Sequence, residues 1–138
     1  VIILLQASWE KKNIELDLDL PDCMIISDEE LLQQVWMNIL SNAIKFSNES
    51  GKIDILLKSH SNYISIEFID HGCGMDEDTV VHIFEKFYQG DKSHSKDGNG
   101  LGLALCKKIV SICKGEITAS SKLNVGTTIT VKLPIYFN

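Results

Sequence analysis

Apolar and polar residues alternate strictly from Ile14 to Leu20, a period of two that predicts a strand with one wet face, ended by Pro21. Before it, residues 1–11 read as the last helical turns of a connection from an upstream domain. After it, Leu32, Val35, Ile39, Leu40 and Ala43 recur at helical spacing and give one buried stripe. Ser27 and Glu30 form the Ser-x-x-Glu capping pattern, so this helix is expected to begin there and run to about Phe46, with a turn over 48–51. Strands are predicted at 53–59 and 63–69, joined by the polar hairpin Ser59-His-Ser-Asn62.

Asp70 to Gly74 reads as a turn, and Asp76, Glu77 and Asp78 place acidic residues at the start of another helix. Val80, Ile83, Phe84 and Phe87 are expected to form its apolar side. The stretch 88–100 is polar and rich in glycine and is expected to be a mobile loop. A third helix is predicted at 101–113, stopped by Gly115, and two last strands at 115–121 and 126–133. Hairpins mixed with alternating strands and helices point to a mixed sheet with helices on one face.

The 138 residues are enough for a single domain over 1–138, and 44% hydrophobic content supplies an ordinary core. No run approaches the ~18 apolar residues that span a bilayer, and Val1 to Leu5 is too short for a signal segment. A chain beginning with Val reads as an excerpt of something longer. The formal charge is -6, and all 13 basic residues are Lys, which argues against a nucleic-acid partner. Cys23, Cys73, Cys106 and Cys113 show no CxxC spacing, so no zinc site is expected, and scattered thiols fit a reducing compartment.

Three segments carry candidate chemistry. Opposite the apolar stripe of the long helix, Gln34, Asn38, Ser41, Asn42 and Lys45 share one face. That face is either a solvated surface rich in amides or one that offers the neutral oxygen of Asn42 to Mg²⁺ and the Lys45 ammonium to phosphate. Asp70 has the parity of Ile64, Ile66 and Phe68, so its carboxylate should point into the core, where it needs a partner. It either caps its own turn or accepts the exocyclic amine of adenine, with Gly72 and Gly74 letting the backbone approach a flat base. Gly98, Gly100 and Gly102 precede a helix whose first N–H groups suit an anion. Neither a P-loop nor a dinucleotide fingerprint can be read there.

Together these segments resemble a known family. Asn38-Ile-Leu-Ser-Asn42-Ala-Ile-Lys45-Phe46 resembles the asparagine box of sensor histidine kinases, and Asp70-x-Gly72-x-Gly74-Met75 their first glycine box. Ile83-Phe-Glu-Lys-Phe87-Tyr88 is similar to their phenylalanine box, Gly98-x-Gly100-Leu101-Gly102-Leu103 to their second glycine box, and Gly126-Thr127-Thr128 to their closing element. The order and spacing match from about residue 1 to 135. The resemblance is to the catalytic, ATP-binding domain of a two-component sensor histidine kinase of the GHKL superfamily.

The resemblance implies an α+β, two-layer sandwich: a mixed, mostly antiparallel sheet, about three helices on one face, and an ATP lid at 88–100. It implies that Asn42 coordinates Mg²⁺ and Lys45 meets a phosphate, with Asn38 beside them as the remaining catalytic position. Asp70 would bind the adenine amine, with Gly72, Gly74 and Met75 around the base and Thr127 near Asp70 and its water. Phe46, Phe87, Tyr88 and Lys92 would complete the ATP-binding set, and Gly98, Gly100, Leu101, Gly102 and Leu103 would shape its phosphate end. Gln89 stands where many members carry Arg, with Lys86, Lys92 and Lys96 nearby.

Expected partners are ATP with Mg²⁺, a dimerisation and phosphoacceptor histidine domain outside this chain, through which the protein forms a homodimer, and a response regulator. The expected setting is the cytoplasmic domain of a membrane-anchored sensor. His60, His71, His82 and His94 are followed by Ser, Gly, Ile and Ser, none acidic, so none reads as the family's phosphoacceptor. Related ATP hydrolases place Glu at the position of Asn38, and an amide has no useful basicity. The kinase domain therefore leads over a GHKL hydrolase and a non-catalytic nucleotide-binding module.

Overall fold

The computed structural model describes residues 14–19, 29–48, 50–85 and 102–135. In chain order the elements are β1 (Glu15–Asp19), α1 (Glu29–Phe46), β2 (Lys52–Ser59), β3 (Tyr63–Asp70), α2 (Glu77–His82), α3 (Gly102–Ile112), β4 (Glu116–Lys122) and β5 (Gly126–Pro134). The strands form one five-stranded sheet in the order β1-β2-β3-β5-β4. β1 lies parallel to β2, with Asp17 opposite Asp54, and every other pairing is antiparallel. A parallel pair needs a long crossover, and α1 lies within the connection from β1 to β2.

The core lies between the sheet and the two longer helices. Leu32, Val35, Ile39, Leu40, Ala43 and Ile44 of α1 and Cys106, Ile109 and Val110 of α3 are buried with Ile53, Ile55, Ile64, Ile66, Phe68, Ile129, Val131 and Leu133 of the sheet. The strand residues alternate, so one sheet face supplies the core. Trp36 of α1 stacks on Phe68 at 5.9 Å between ring centroids. The expected α+β architecture is present, with three helices among the described residues, and the element bounds agree to within a residue where they are described.

Two expectations need correction. The helix after Asp76 is one short segment, α2, with no buried residue, and Ile83 and Phe84 follow it in a half-buried turn rather than extending an apolar helical face. Asp76 caps it, accepting the Thr79 N–H at 2.7 Å. The stop after α3 also differs. Lys114, at φ 62°, takes the left-handed position, and the Gly115 N–H closes the turn on the Val110 carbonyl at 2.9 Å. Gly115 is needed for room, since a β-carbon there would strike the Lys132 carbonyl oxygen. Ser27 and the connection 1–11 lie outside the described residues.

Candidate functional site

Reading across the sheet shows how the core gives way to a site. Leu57, Ile66, Val131 and Ile117 form one cross-strand row, and Ile55, Phe68, Ile129 and Ala119 the next. The following row is Ile53, Asp70, Thr127 and Ser121. Three polar side chains thus stand on the core-facing side of the sheet, at the end where the strand-to-helix turn leaves it.

Asp70 is only 7% exposed, as its parity requires. Its Oδ1 accepts the Gly72 N–H at 3.0 Å and the Thr127 N–H at 3.3 Å. The turn-capping reading is therefore correct for one carboxylate oxygen. Oδ2 accepts no hydrogen bond from a described residue. No buried side-chain polar atom among the described residues lacks a partner. Burial pushes the Asp70 pKa up, opposed by the two backbone N–H groups and by His71. His71 itself turns to β2, where its Nε2 meets Asp54 Oδ2 at 3.1 Å and holds the Asp54 pKa down.

The turn after Asp70 docks on the C-terminal end of α1. The Cys73 N–H donates to the Phe46 carbonyl at 3.3 Å, and a β-carbon on Gly72 would collide with that same oxygen. Gly74 has φ +67° and lies against the Lys122 carbonyl. The two glycines are thus demanded by backbone packed on backbone, a reason distinct from the clearance for a base that the sequence suggested. The Met75 N–H donates to Ser121 Oγ at 2.7 Å, tying the turn to β4.

At the other end, α1 meets the start of α3. Asn38 Oδ1 lies 3.6 Å from where a β-carbon on Gly102 would sit. Burial pushes the Cys106 thiol up to about 12, while a hydrogen bond from the Asn38 side chain pulls the other way. The thiol donates to the Val35 carbonyl at 3.7 Å. Asn38 and Phe46 are eight residues apart, about 12 Å along the helix. Asn42 and Lys45 lie on α1 between or beside these contacts, half-buried, with Lys45 Nζ 5.2 Å from the Phe46 ring centroid. α1 is therefore a bar joining the Asp70 turn to the N-terminus of α3, whose first turn carries no acidic residue and includes Leu103.

Asn38, Asn42, Lys45 and Phe46 lie along α1, Asp70, Gly72, Gly74, Met75 and Thr127 in and around the turn that docks on its C-terminal end, and Gly102 and Leu103 in the first turn of α3, where Gly102 lies beside Asn38. Phe87, Tyr88, Lys92, Gly98, Gly100 and Leu101, the lid at 88–100, and Lys86, Gln89 and Lys96 lie outside the described residues. Sequence reasoning missed Ser121, and it singled out Gly126 only within the closing element, with no reason for a glycine there. A β-carbon on Gly126, at φ +145°, would strike the Asp70 carbonyl oxygen. The signal for Ser121 was present in Ile117, Ala119 and Ser121, which share a parity. Among the described histidines, His60 stacks on Tyr63 and meets Ser65, His71 meets Asp54, and His82 meets Glu85.

Among the described residues no three His, Cys, Asp or Glu side chains gather as a metal centre. A single amide oxygen, such as that of Asn42, would suit Mg²⁺ only as one ligand among water and phosphate oxygens.

The sequence profile of histidine kinase-, DNA gyrase B- and HSP90-like ATPases matches residues 27–136. The chain belongs to this family. Its likeness within the family is to sensor histidine kinases of the GHKL superfamily. Sensor histidine kinase YvrG of Bacillus subtilis is 38% identical over 105 residues, 75% of this chain and 18% of that protein. The mycobacterial sensor histidine kinase MprB superposes with a TM-score of 0.85 at 26% identity, covering 94% of this chain and 90% of that one. Histidine kinase ThkA, in complex with the response regulator protein TrrA, superposes with a TM-score of 0.80 at 25% identity, covering 98% of this chain and 38% of the other. The chain spans less than a fifth of the length of YvrG. Family membership implies use of a nucleotide.

Proposed function

We propose that the chain binds Mg²⁺-ATP and donates the γ-phosphoryl group to a histidine on a separate dimerisation domain of the same sensor kinase. The observation that carries this reading is Asp70, buried at the end of β3 with one oxygen locked by two backbone N–H groups and the other bonded by no described residue. A fixed carboxylate oxygen is a fit acceptor for the adenine amine, with Gly72, Gly74 and Met75 around the base and Thr127 at its edge. The α1 bar then leads to the phosphate end. Along it the Lys45 ammonium meets a phosphate and the Asn42 oxygen serves Mg²⁺, while the N-terminal N–H groups of α3, with Gly102 and Leu103 in its first turn, face anionic oxygens. Mg²⁺, when bound with ATP, neutralises phosphate charge as the transfer proceeds.

In the transfer, the γ-phosphorus forms a bond to a histidine nitrogen while its bond to the β–γ bridging oxygen breaks, and ADP leaves with that electron pair. The chain's residues position and stabilise charge, since this chemistry asks little covalent work of the protein. Asn38 supports transfer over hydrolysis. Its amide cannot act as a base towards water, and it is engaged with Cys106 beside Gly102. Phe46, Phe87, Tyr88, Lys92, Gly98, Gly100 and Leu101 belong to the same proposed ATP-binding set, with the lid at 88–100. The acceptor domain, homodimerisation through it, onward transfer to a response regulator, and a cytoplasmic place in a membrane-anchored sensor complete the reading.

Calorimetric titration with a non-hydrolysable ATP analogue, with and without Mg²⁺, tests it. Magnesium-dependent binding that is lost in Asn42→Ala is the expected result. Absence of binding in both conditions would refute the nucleotide site. The chain alone is expected to acquire no stable label from γ-labelled ATP, since the phosphoacceptor is sought elsewhere.

A further inference from the structure

Ser121 Oγ makes three contacts: the Met75 N–H at 2.7 Å, the Gly126 carbonyl oxygen at 2.9 Å, and Thr127 Oγ1 at 2.8 Å. A hydroxyl has one proton to give and two lone pairs to offer. The amide can only donate, so it occupies one lone pair. The carbonyl can only accept, so it takes the proton. What remains on Ser121 is a single lone pair, and the Thr127 hydroxyl must therefore donate to it. Its own proton spent, Thr127 Oγ1 presents only lone pairs to anything else.

Thr127 and Asp70 are register partners on the same sheet face, and Asp70 as a carboxylate is also acceptor-only. We propose that Ser121 is a specificity-determining positioning residue. By consuming the Thr127 proton it makes the Asp70–Thr127 pair an all-acceptor edge that takes a 6-amino purine and rejects a 6-oxo purine. This rests on the assignment of Asp70 to the adenine amine. An amine brings two N–H donors to that edge. A carbonyl brings lone pairs against lone pairs, and a freely turning Thr127 hydroxyl would relieve that mismatch by rotating its proton towards the carbonyl.

The test compares affinities for ATP and inosine triphosphate, by competition against a fluorescent nucleotide, in the wild-type chain and in Ser121→Ala, Ser121→Thr and Asp70→Asn. Ser121→Ala is expected to reduce the ATP preference about tenfold, the worth of one mismatched hydrogen bond, mainly by tightening inosine triphosphate. Ser121→Thr keeps a hydroxyl at the same place and should retain the wild-type preference, which a merely structural role for the site would not require. If Ser121→Ala does not fold, Ser121→Cys, with its weaker acceptor, takes its place and should also lower the preference. An unchanged preference in a folded variant overturns the inference, while weakened ATP binding in Asp70→Asn would still uphold the adenine assignment. Unaltered ATP binding in Asp70→Asn defeats both.

Discussion

Gly72 rests on the carbonyl oxygen of Phe46 so closely that a β-carbon has no place between them. This contact fixes where the Asp70 turn sits against the end of α1. Gly72→Ala must therefore push backbone from backbone, and neither side is a flexible side-chain tip. An overpacked contact of this kind costs about 1–3 kcal/mol. Urea unfolding should show that loss, with weakened nucleotide binding alongside it.

Asp70 pits stability against binding. Its pKa is raised in the folded chain, chiefly by burial, so the folded state holds this proton more tightly than the unfolded one. Stability from this group therefore falls as pH rises from the ordinary carboxylate value through the raised one, and the penalty is complete above it. Asp70→Asn removes the penalty, so the ligand-free variant should melt higher than wild type at pH 7. The same variant should bind ATP at least about a hundredfold more weakly, as a charged hydrogen bond is lost. A bound amine favours the carboxylate, so wild-type affinity should decline as pH drops through the raised value.

Cys106 should be inert in the native chain. It is fully buried and its thiol is pushed up to about 12, so almost no thiolate exists at neutral pH. Alkylation followed by mass spectrometry should leave Cys106 unmodified while the half-buried Cys73 and Cys113 react. Labelling of Cys106 should appear only with unfolding.

Lys114 holds the left-handed position after α3 at φ 62° and is exposed. Glycine adopts that conformation without steric cost but is freer when unfolded. Lys114→Gly should therefore stabilise by about 0.5 kcal/mol, read as a small rise in the unfolding midpoint.

The strands and α1 were legible because their patterns are local. Alternation over Ile64, Ile66 and Phe68 even placed Asp70 inward, and it is buried there. The reasons for the glycines were not legible. Gly72, Gly74, Gly115 and Gly126 each meet a carbonyl oxygen from another part of the chain, and spacing along the sequence carries no trace of which backbone lies opposite. Ser121 was missed for a related reason. A serine at the end of a strand looks like surface until the register sets it beside Thr127. Sequence also overstated α2, because Val80, Ile83 and Phe84 carry apolar character that only half-burial in a short turn satisfies.

The strand order sets when the polar row can exist during synthesis. Asp70 emerges 57 positions ahead of Thr127, yet both belong to one row, and β5 is inserted between β3 and β4. Until that late strand slides into its slot, the carboxylate has neither its neighbouring N–H nor its hydroxyl companion. The proposed base site is therefore complete only once the sheet has closed around β5.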